Sequence, residues 1–473
     1  MVNTSHQSAR RPGVVLGILS LAAFMASLDV FIVNVAFDAI GRDFHGTRIS
    51  DLSWVLSAYA IIYAALLVPS GRLADRYGRK AGFLLGLGLF TVASIACGLA
   101  GSIWWLVAFR AIQAVGAALL TPASLGLVVA AAPADKRQQW VRIWAATGAI
   151  AAALGPAVGG LLVEASWRWV FFVNVPIGLA ALIATVLVVP SSRDTTITHN
   201  PDLVGAGLLA ISIGALALGI VEGPSWGWSS TRVTIAWITV VVGLIGVALT
   251  SRRHPVPVIA PSLLRVKAFA ASNATSLLFS IPFAGSLLTT ILWMQQVWHY
   301  SAIQTGFGVA PGPLMVPLFA AVAHRLSTRV PVGWLVSIGC LLFGLGGVIM
   351  LSSVGATPNY AGEILPGWLV GGAGVGFALP NILSSATADL PATLAATGSA
   401  LVNMSRQIGT VLGVSLVVAA LGTPTTYAEA HAAFTDAWWL LAGVAVAAAV
   451  TAVRMTPTAV TQMPAPEVAL AVD

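Results

Sequence analysis

Gly71-Arg72-Leu73-Ala74-Asp75-Arg76-Tyr77-Gly78-Arg79-Lys80 places five charged side chains in ten residues, in a chain where only 8% of residues are charged. Apolar runs flank it, Trp54 to Pro69 before and Phe83 to Ala100 after. A short cationic loop between two membrane-length apolar segments belongs on the cytoplasmic side. Topology explains the arginines and the lysine. Asp75, Gly71 and Gly78 ask for more, and predict a tight turn whose acid sits against a helix N-terminus.

Working outward, 58% of the 473 residues are hydrophobic, whereas a soluble globular domain carries about 25% charged residues. Apolar runs of about 20 residues match the ~30 Å hydrocarbon core at about 1.5 Å rise per helical residue. The first run, Val14 to Ala36, is longer than the apolar core of a cleaved leader, about 7–15 residues, and predicts a retained first helix. Further spans are predicted at 52–70, 82–101, 103–130, 141–163, 170–190, 203–221, 233–250, 268–296, 303–323, 331–352, 363–387, 397–420 and 434–453, giving fourteen. The net charge of +7 sits in short loops between spans rather than on a nucleic-acid face. Cys97 and Cys340 both fall within apolar runs, far apart in sequence, which argues for two small core residues and against a disulfide or metal site.

With the N-terminus inside, the cytoplasmic segments hold seventeen of the twenty-three Lys and Arg residues and the outer segments four. That bias predicts an even number of helices with both ends cytoplasmic. Trp104, Trp105, Trp167, Trp169, Trp226, Trp228, Trp298, Trp438 and Trp439 gather at the expected outer ends, as an aromatic belt does. Six spans precede the polar segment Ser191 to Asp202, two follow it, and six more follow the basic segment Arg252 to Lys267. The expected division is an all-α membrane protein with a six-helix bundle over 1–195, two inserted linker helices over 196–262, a second six-helix bundle over 263–455, and a disordered tail over 456–473.

Asp29 is the carboxylate deepest in a span, about 10 Å below the outer surface by helical rise. A charge at such depth costs about 2.5–3.5 kcal/mol on insertion scales and marks a functional candidate. Arg110 of the fourth span lies at a similar depth, with Gln113 three residues on and so on the same face. A direct or water-bridged Asp29–Arg110 pair is expected, weakening when Asp29 takes a proton. The fifth span carries Gly148 and then Gly155-Pro156-Ala157-Val158-Gly159-Gly160, a string that suits close helix packing or a bend. In the second half Asn403, Arg406 and Gln407 share one span; Arg406 either sits near mid-membrane or snorkels inward. Gly371 to Gly376 follow no strand and lie in an apolar run, as packing glycines do. No phosphate-loop motif occurs, so active transport would draw on an ion gradient and no cofactor.

The Gly71–Lys80 string closely resembles the loop between the second and third helices of major facilitator superfamily transporters. Gly155-Pro156-x-x-Gly159-Gly160 is similar to the antiporter motif of exporters in that superfamily. Leu28-Asp29 with Asn34-Val35-Ala36 is similar to the first-helix motif of its fourteen-helix drug:proton antiporters, although Phe37-Asp38 stands where that motif has leucine-proline. The resemblance implies two bundles rocking about a central cavity, proton coupling at Asp29 and Arg110, and a latch made by Gly71, Asp75, Arg76, Gly78 and Arg79 onto a C-terminal helix. It implies proton-coupled export of small amphipathic compounds, drugs among them, across the plasma membrane of a prokaryote by a monomer in the lipid bilayer. An endogenous metabolite, lipid or siderophore is the alternative cargo. A membrane-embedded enzyme or channel lacks the convergent catalytic groups it would need. Phe31, Asn34, Gln113, Trp293, Met294, Met315, Asn403 and Arg406 are the expected cavity residues.

Overall fold

Within a bilayer every backbone N–H and C=O must be satisfied inside the chain, so apolar runs of this length fold as helices. The computed structural model describes residues 12–193, 199–390 and 392–456, and no strand occurs among them. Arg10, Arg11 and nearly all of the expected tail lie outside the described residues. Among the described residues fourteen helices are long and apolar enough to span: α1 (Gly13–Asp43), α2 (Ile49–Tyr77), α3 (Arg79–Gly98), α4 (Ile103–Ala131), α5 (Arg137–Ala165), α6 (Trp169–Val188), α7 (Leu203–Trp226), α8 (Thr231–Arg253), α9 (Lys267–Val297), α10 (Ala302–Leu326), α11 (Val332–Ser353), α12 (Leu365–Ala388), α13 (Thr397–Leu421) and α14 (Tyr427–Met455).

Hydroxyl and carboxylate caps satisfy several of the orphan N–H groups at helix starts. Ser102 accepts from Trp105, Asp202 from Gly205, and Ser230 from Val233. Ser301 and Gln304 form a reciprocal capping box at the head of α10. The ends of α2 and α3 correct the expected ten-residue loop: the break is Gly78 alone, at φ +122°, its N–H bonded to the Ala74 carbonyl. Membrane thickness limits the apolar stretch and leaves the helix free to continue into water, so only the residue with left-handed freedom interrupts it. Asp75 accordingly sits in the last turn of α2. α1 likewise runs on through Phe37-Asp38 to Asp43, there being no proline at its outer end.

In the first bundle α3 and α2 pack along α4, α1 along α5, and α6 against α3 and α1. In the second, α11 packs along α12 and α14, α9 along α13 and α14, and α10 along α12. The bundles meet along two seams, α2 with α13 and α5 with α10, and at a narrower contact between α1 and α9. Of the two inserted helices, α8 lies against α7, while α7 lies along both α2 and α13 and so covers that seam.

Candidate functional site

α1 is apolar around Asp29: Met25, Leu28, Ile32 and Val33 are all buried, and Asp29 is fully so. Arg110 faces it from α4, with Nη1 donating to Asp29 Oδ2. The same nitrogen donates to Gln113 Oε1 at 2.7 Å, and Nε donates to the Val55 carbonyl of α2 at 3.2 Å. The Tyr59 ring lies 4.1 Å from the guanidinium carbon, giving a desolvated cation a π face.

The carboxylate's other oxygen is also fully engaged. Asp29 Oδ1 accepts from Gln113 Nε2 at 2.9 Å and from Asn174 Nδ2 at 3.1 Å. Both amides donate as well to Ser94 Oγ of α3, at 2.6 and 3.3 Å. Asn174 lies near the head of α6, and its side chain is fully buried in the bundle. Its Oδ1 is buried and has no hydrogen-bond partner among the described residues. Five helices thus contribute to one network around this carboxylate, with α4 and α6 donating to it directly. Burying an ion pair gains little net stability, but removing one partner strands the other at a cost of about 3–5 kcal/mol.

The sequence pointed to Asp29, Arg110 and Gln113, and the fold brings the three together. It missed Tyr59, Ser94 and Asn174, single polar or aromatic residues in apolar runs, whose only signal was the cost of burying a polar group. Asn34 and Asn403 turn back along their own helices, to the Val30 and Ser399 carbonyls, and join no site. Trp293 and Met294 do not line a cavity here. α9 ends in a π-helical turn over Trp293–Val297, both side chains are fully buried, and Trp293 packs on Phe434 at 5.2 Å and Trp438 at 5.6 Å.

The glycine string of α5 faces two helices at once. A methyl group at Gly155 would meet Phe31, one at Gly159 would meet Ile32, and one at Gly160 would strike the Ala302 backbone of α10. Gly306 of α10 answers it, against the Pro156 carbonyl, while Gly148 faces only Ser27. Beside this junction Gln295 Nε2 of α9 donates to the Val35 carbonyl of α1 at 3.1 Å, across the two bundles.

At the opposite end the expected latch is differently wired. Asp75 pairs with Arg79 at 2.6 Å, the Arg79 side chain lies against Gly126, and Gly71 lies against Pro122. Arg76 donates to Asn200 at 2.7 Å, ahead of α7. The contact that crosses between bundles is Arg72 Nη2 to Thr397 Oγ1 of α13, at 2.5 Å. In the last turn of α2 Asp75 is one turn from Arg79, so the two pair locally, and Arg72, one turn earlier, has the reach across the seam.

The major facilitator superfamily model matches residues 19–414, most of the chain and the whole of this site. The chain belongs to the major facilitator superfamily. It is 34% identical over 403 residues to multidrug resistance protein Stp of Mycobacterium tuberculosis, covering 84% of this chain and 73% of that one. It is 32% identical to the methylenomycin A resistance protein of Streptomyces coelicolor, covering 85% and 84%. It is also 32% identical to the multidrug export protein EmrB of Haemophilus influenzae, covering 84% and 78%. Among solved structures, a POT family transporter superposes with TM-score 0.67 at 16% identity, covering 95% and 96% of the two chains. A D-xylose–proton symporter superposes with TM-score 0.64 at 14% identity, covering 94% and 98%. These two share the superfamily's fold. With its fourteen spans and bacterial relatives, the chain is a multi-pass transporter of a prokaryotic inner membrane.

Proposed function

We propose that this transporter exports small amphipathic compounds, drugs among them, in exchange for protons bound at Asp29. The relatives' names, for multidrug export and for resistance to methylenomycin A, support the cargo. The observation that carries the mechanism is the full burial of Asp29 and Arg110 as a paired site, with donors to the carboxylate from α4 and α6. In this arrangement both Asp29 oxygens accept, and three side chains donate to it. Protonation cancels the charge that holds Arg110 and turns one oxygen into a donor. The buried, unpartnered Asn174 Oδ1 is the acceptor at hand, and Tyr59, Gln113 Oε1 and the Val55 carbonyl keep the guanidinium partly compensated.

Pairing of this kind couples a proton to helix position: α1 and α4 are drawn together in one charge state and released in the other. A membrane potential adds about 2.3 kcal/mol per charge per 100 mV to such an exchange. The test is substrate-triggered proton movement in proteoliposomes across a panel of lipophilic cations and anions. The expected result is proton release with at least one compound in the wild type and none in Asp29→Asn. Export that proceeds without proton movement in the wild type would move the coupling elsewhere.

A further inference from the structure

Inserted α7 lies along α2 of the first bundle and α13 of the second, but the two contacts are made differently. At one end of α7 the buried Glu222 accepts from Arg48, at the head of α2, with Nη1 at 3.3 Å and Nη2 at 3.2 Å. Ahead of its other end Asn200 Oδ1 accepts from Arg76 Nη1 at 2.7 Å and from the Tyr77 hydroxyl at 3.0 Å. Arg76 and Tyr77 close the last turn of α2. The chain leading into α7 is held to the same bundle, where the Arg79 N–H at the head of α3 donates to the Ser192 carbonyl at 2.9 Å.

Among the described residues no hydrogen bond or ion pair joins α7 or α8 to the second bundle. α13 meets an apolar stripe instead. Ala206, Leu209, Ile213 and Ala217, three or four residues apart on one face of α7, share a buried cluster with residues of α2 and α13. The two kinds of contact resist motion unequally. Fastenings at both ends of α2, about 40 Å apart by helical rise, fix the height and the tilt of α7 upon it. Slipping off Arg48 would strand a buried carboxylate. Apolar contact is non-directional and lets packed helices slide past each other.

We propose that the inserted hairpin is a strap carried by the first bundle. When the bundles move, α7 keeps its place on α2 while α13 slides along its apolar stripe, so the α2–α13 seam stays covered from lipid as it opens. The Asp202 N–H donates to the Val256 carbonyl at 3.0 Å, which holds the connector after α8 to the hairpin as far as that residue. The stretch from Pro257 to Val266, ahead of α9, then absorbs the motion. The strap rests on the export reading only for movement between the bundles, and on neither the cargo nor the proton.

The test measures spin-label distances on the full-length protein in nanodiscs, in acid and in alkaline buffer, with and without a lipophilic dye. Labels go in pairs at Trp104 in the first turn of α4, Ser229 between α7 and α8, and Ala428 in the first turn of α14, all exposed. Successive spans alternate in direction, so the three lie at one end of the molecule. The Ser229–Trp104 distance is expected to hold within about 1 Å while Ser229–Ala428 shifts by more than about 2 Å, in step with Trp104–Ala428. Asn200→Ala with Glu222→Gln removes both fastenings and leaves Arg48 its partner Asp51; it should broaden the Ser229–Trp104 distances. A Ser229–Trp104 distance that shifts in step with Trp104–Ala428 overturns the strap. So does a distribution as narrow in the double variant as in the wild type. A Trp104–Ala428 distance fixed under every condition removes the strap together with the motion it follows, and proteoliposome transport decides the export reading separately.

Discussion

The amide nitrogen of Asn174 donates to Asp29 at 3.1 Å, while the oxygen of the same group, Oδ1, is buried without a partner among the described residues. The side chain can thus serve Asp29 in either charge state by turning over, as a donor to the carboxylate or an acceptor from the acid. Asn174→Leu, similar in size, loses both roles. It is expected to slow proton-coupled dye efflux about tenfold and to lower stability by about 1 kcal/mol, the net worth of a hydrogen bond. Efflux rate and thermal unfolding of the purified variant check the two parts separately.

The Asp29–Arg110 pair is a double-mutant test. Asp29→Asn leaves the Arg110 cation buried without its counter-charge and is expected to cost about 3–5 kcal/mol. Adding Arg110→Gln should recover most of that stability and none of the proton coupling. A non-additive cycle in thermal unfolding, alongside absent proton flux in both variants, is the expected pattern.

Close approach of α5 and α10 depends on Gly160 and Gly306, each set against the other helix's backbone. Gly160→Val is expected to hold the seam open and reduce transport at least tenfold, because backbone cannot yield as a flexible side chain does. Spin labels at Leu161 and Phe307, both exposed, would report a longer α5–α10 distance in the variant. An unchanged distance would mean that the helices reach each other by another route.

At the other end of the molecule, Arg72→Ala removes the hydrogen bond to Thr397 and is expected to favour opening of the α2–α13 seam. Asp75→Asn loosens Arg79 from its 2.6 Å pairing; transport should fall while folding is retained. Cysteine labelling at Thr397 should rise in Arg72→Ala. Normal transport in Asp75→Asn would remove this end from the mechanism.

The inserted helix α7 is tied to the head of α2 by Arg48, whose guanidinium pairs with both Asp51 and Glu222. Hydrogen bonding to Asp51, together with the charges of Glu222 and Asp51, holds the Arg48 pKa above its ordinary value. Glu222 is buried and has a second partner in Ser225 at 2.7 Å. Glu222→Gln is expected to lower the melting temperature by a few degrees, about 1 kcal/mol for a charge-assisted contact of this kind, and the charge-swapped pair Arg48→Glu with Glu222→Arg to restore part of it.

By itself the sequence determined the fourteen spans, because membrane thickness converts apolar run length directly into helices. It also singled out Asp29 and Arg110, since an ionisable group in lipid is too costly to keep without use, and it marked the glycine string of α5. Tertiary structure alone decided who meets whom. Asn174 reaches Asp29 because α6 packs against both α1 and α3. Trp293 turns into the core because α9 ends in a π turn. Arg72, rather than Asp75, crosses to α13, through the antiparallel register of two helices more than three hundred residues apart. Hydropathy acts one residue at a time and is legible along the chain. Side-chain partnership depends on the rotation and register of packed helices, which nearly uniform apolar faces leave unwritten.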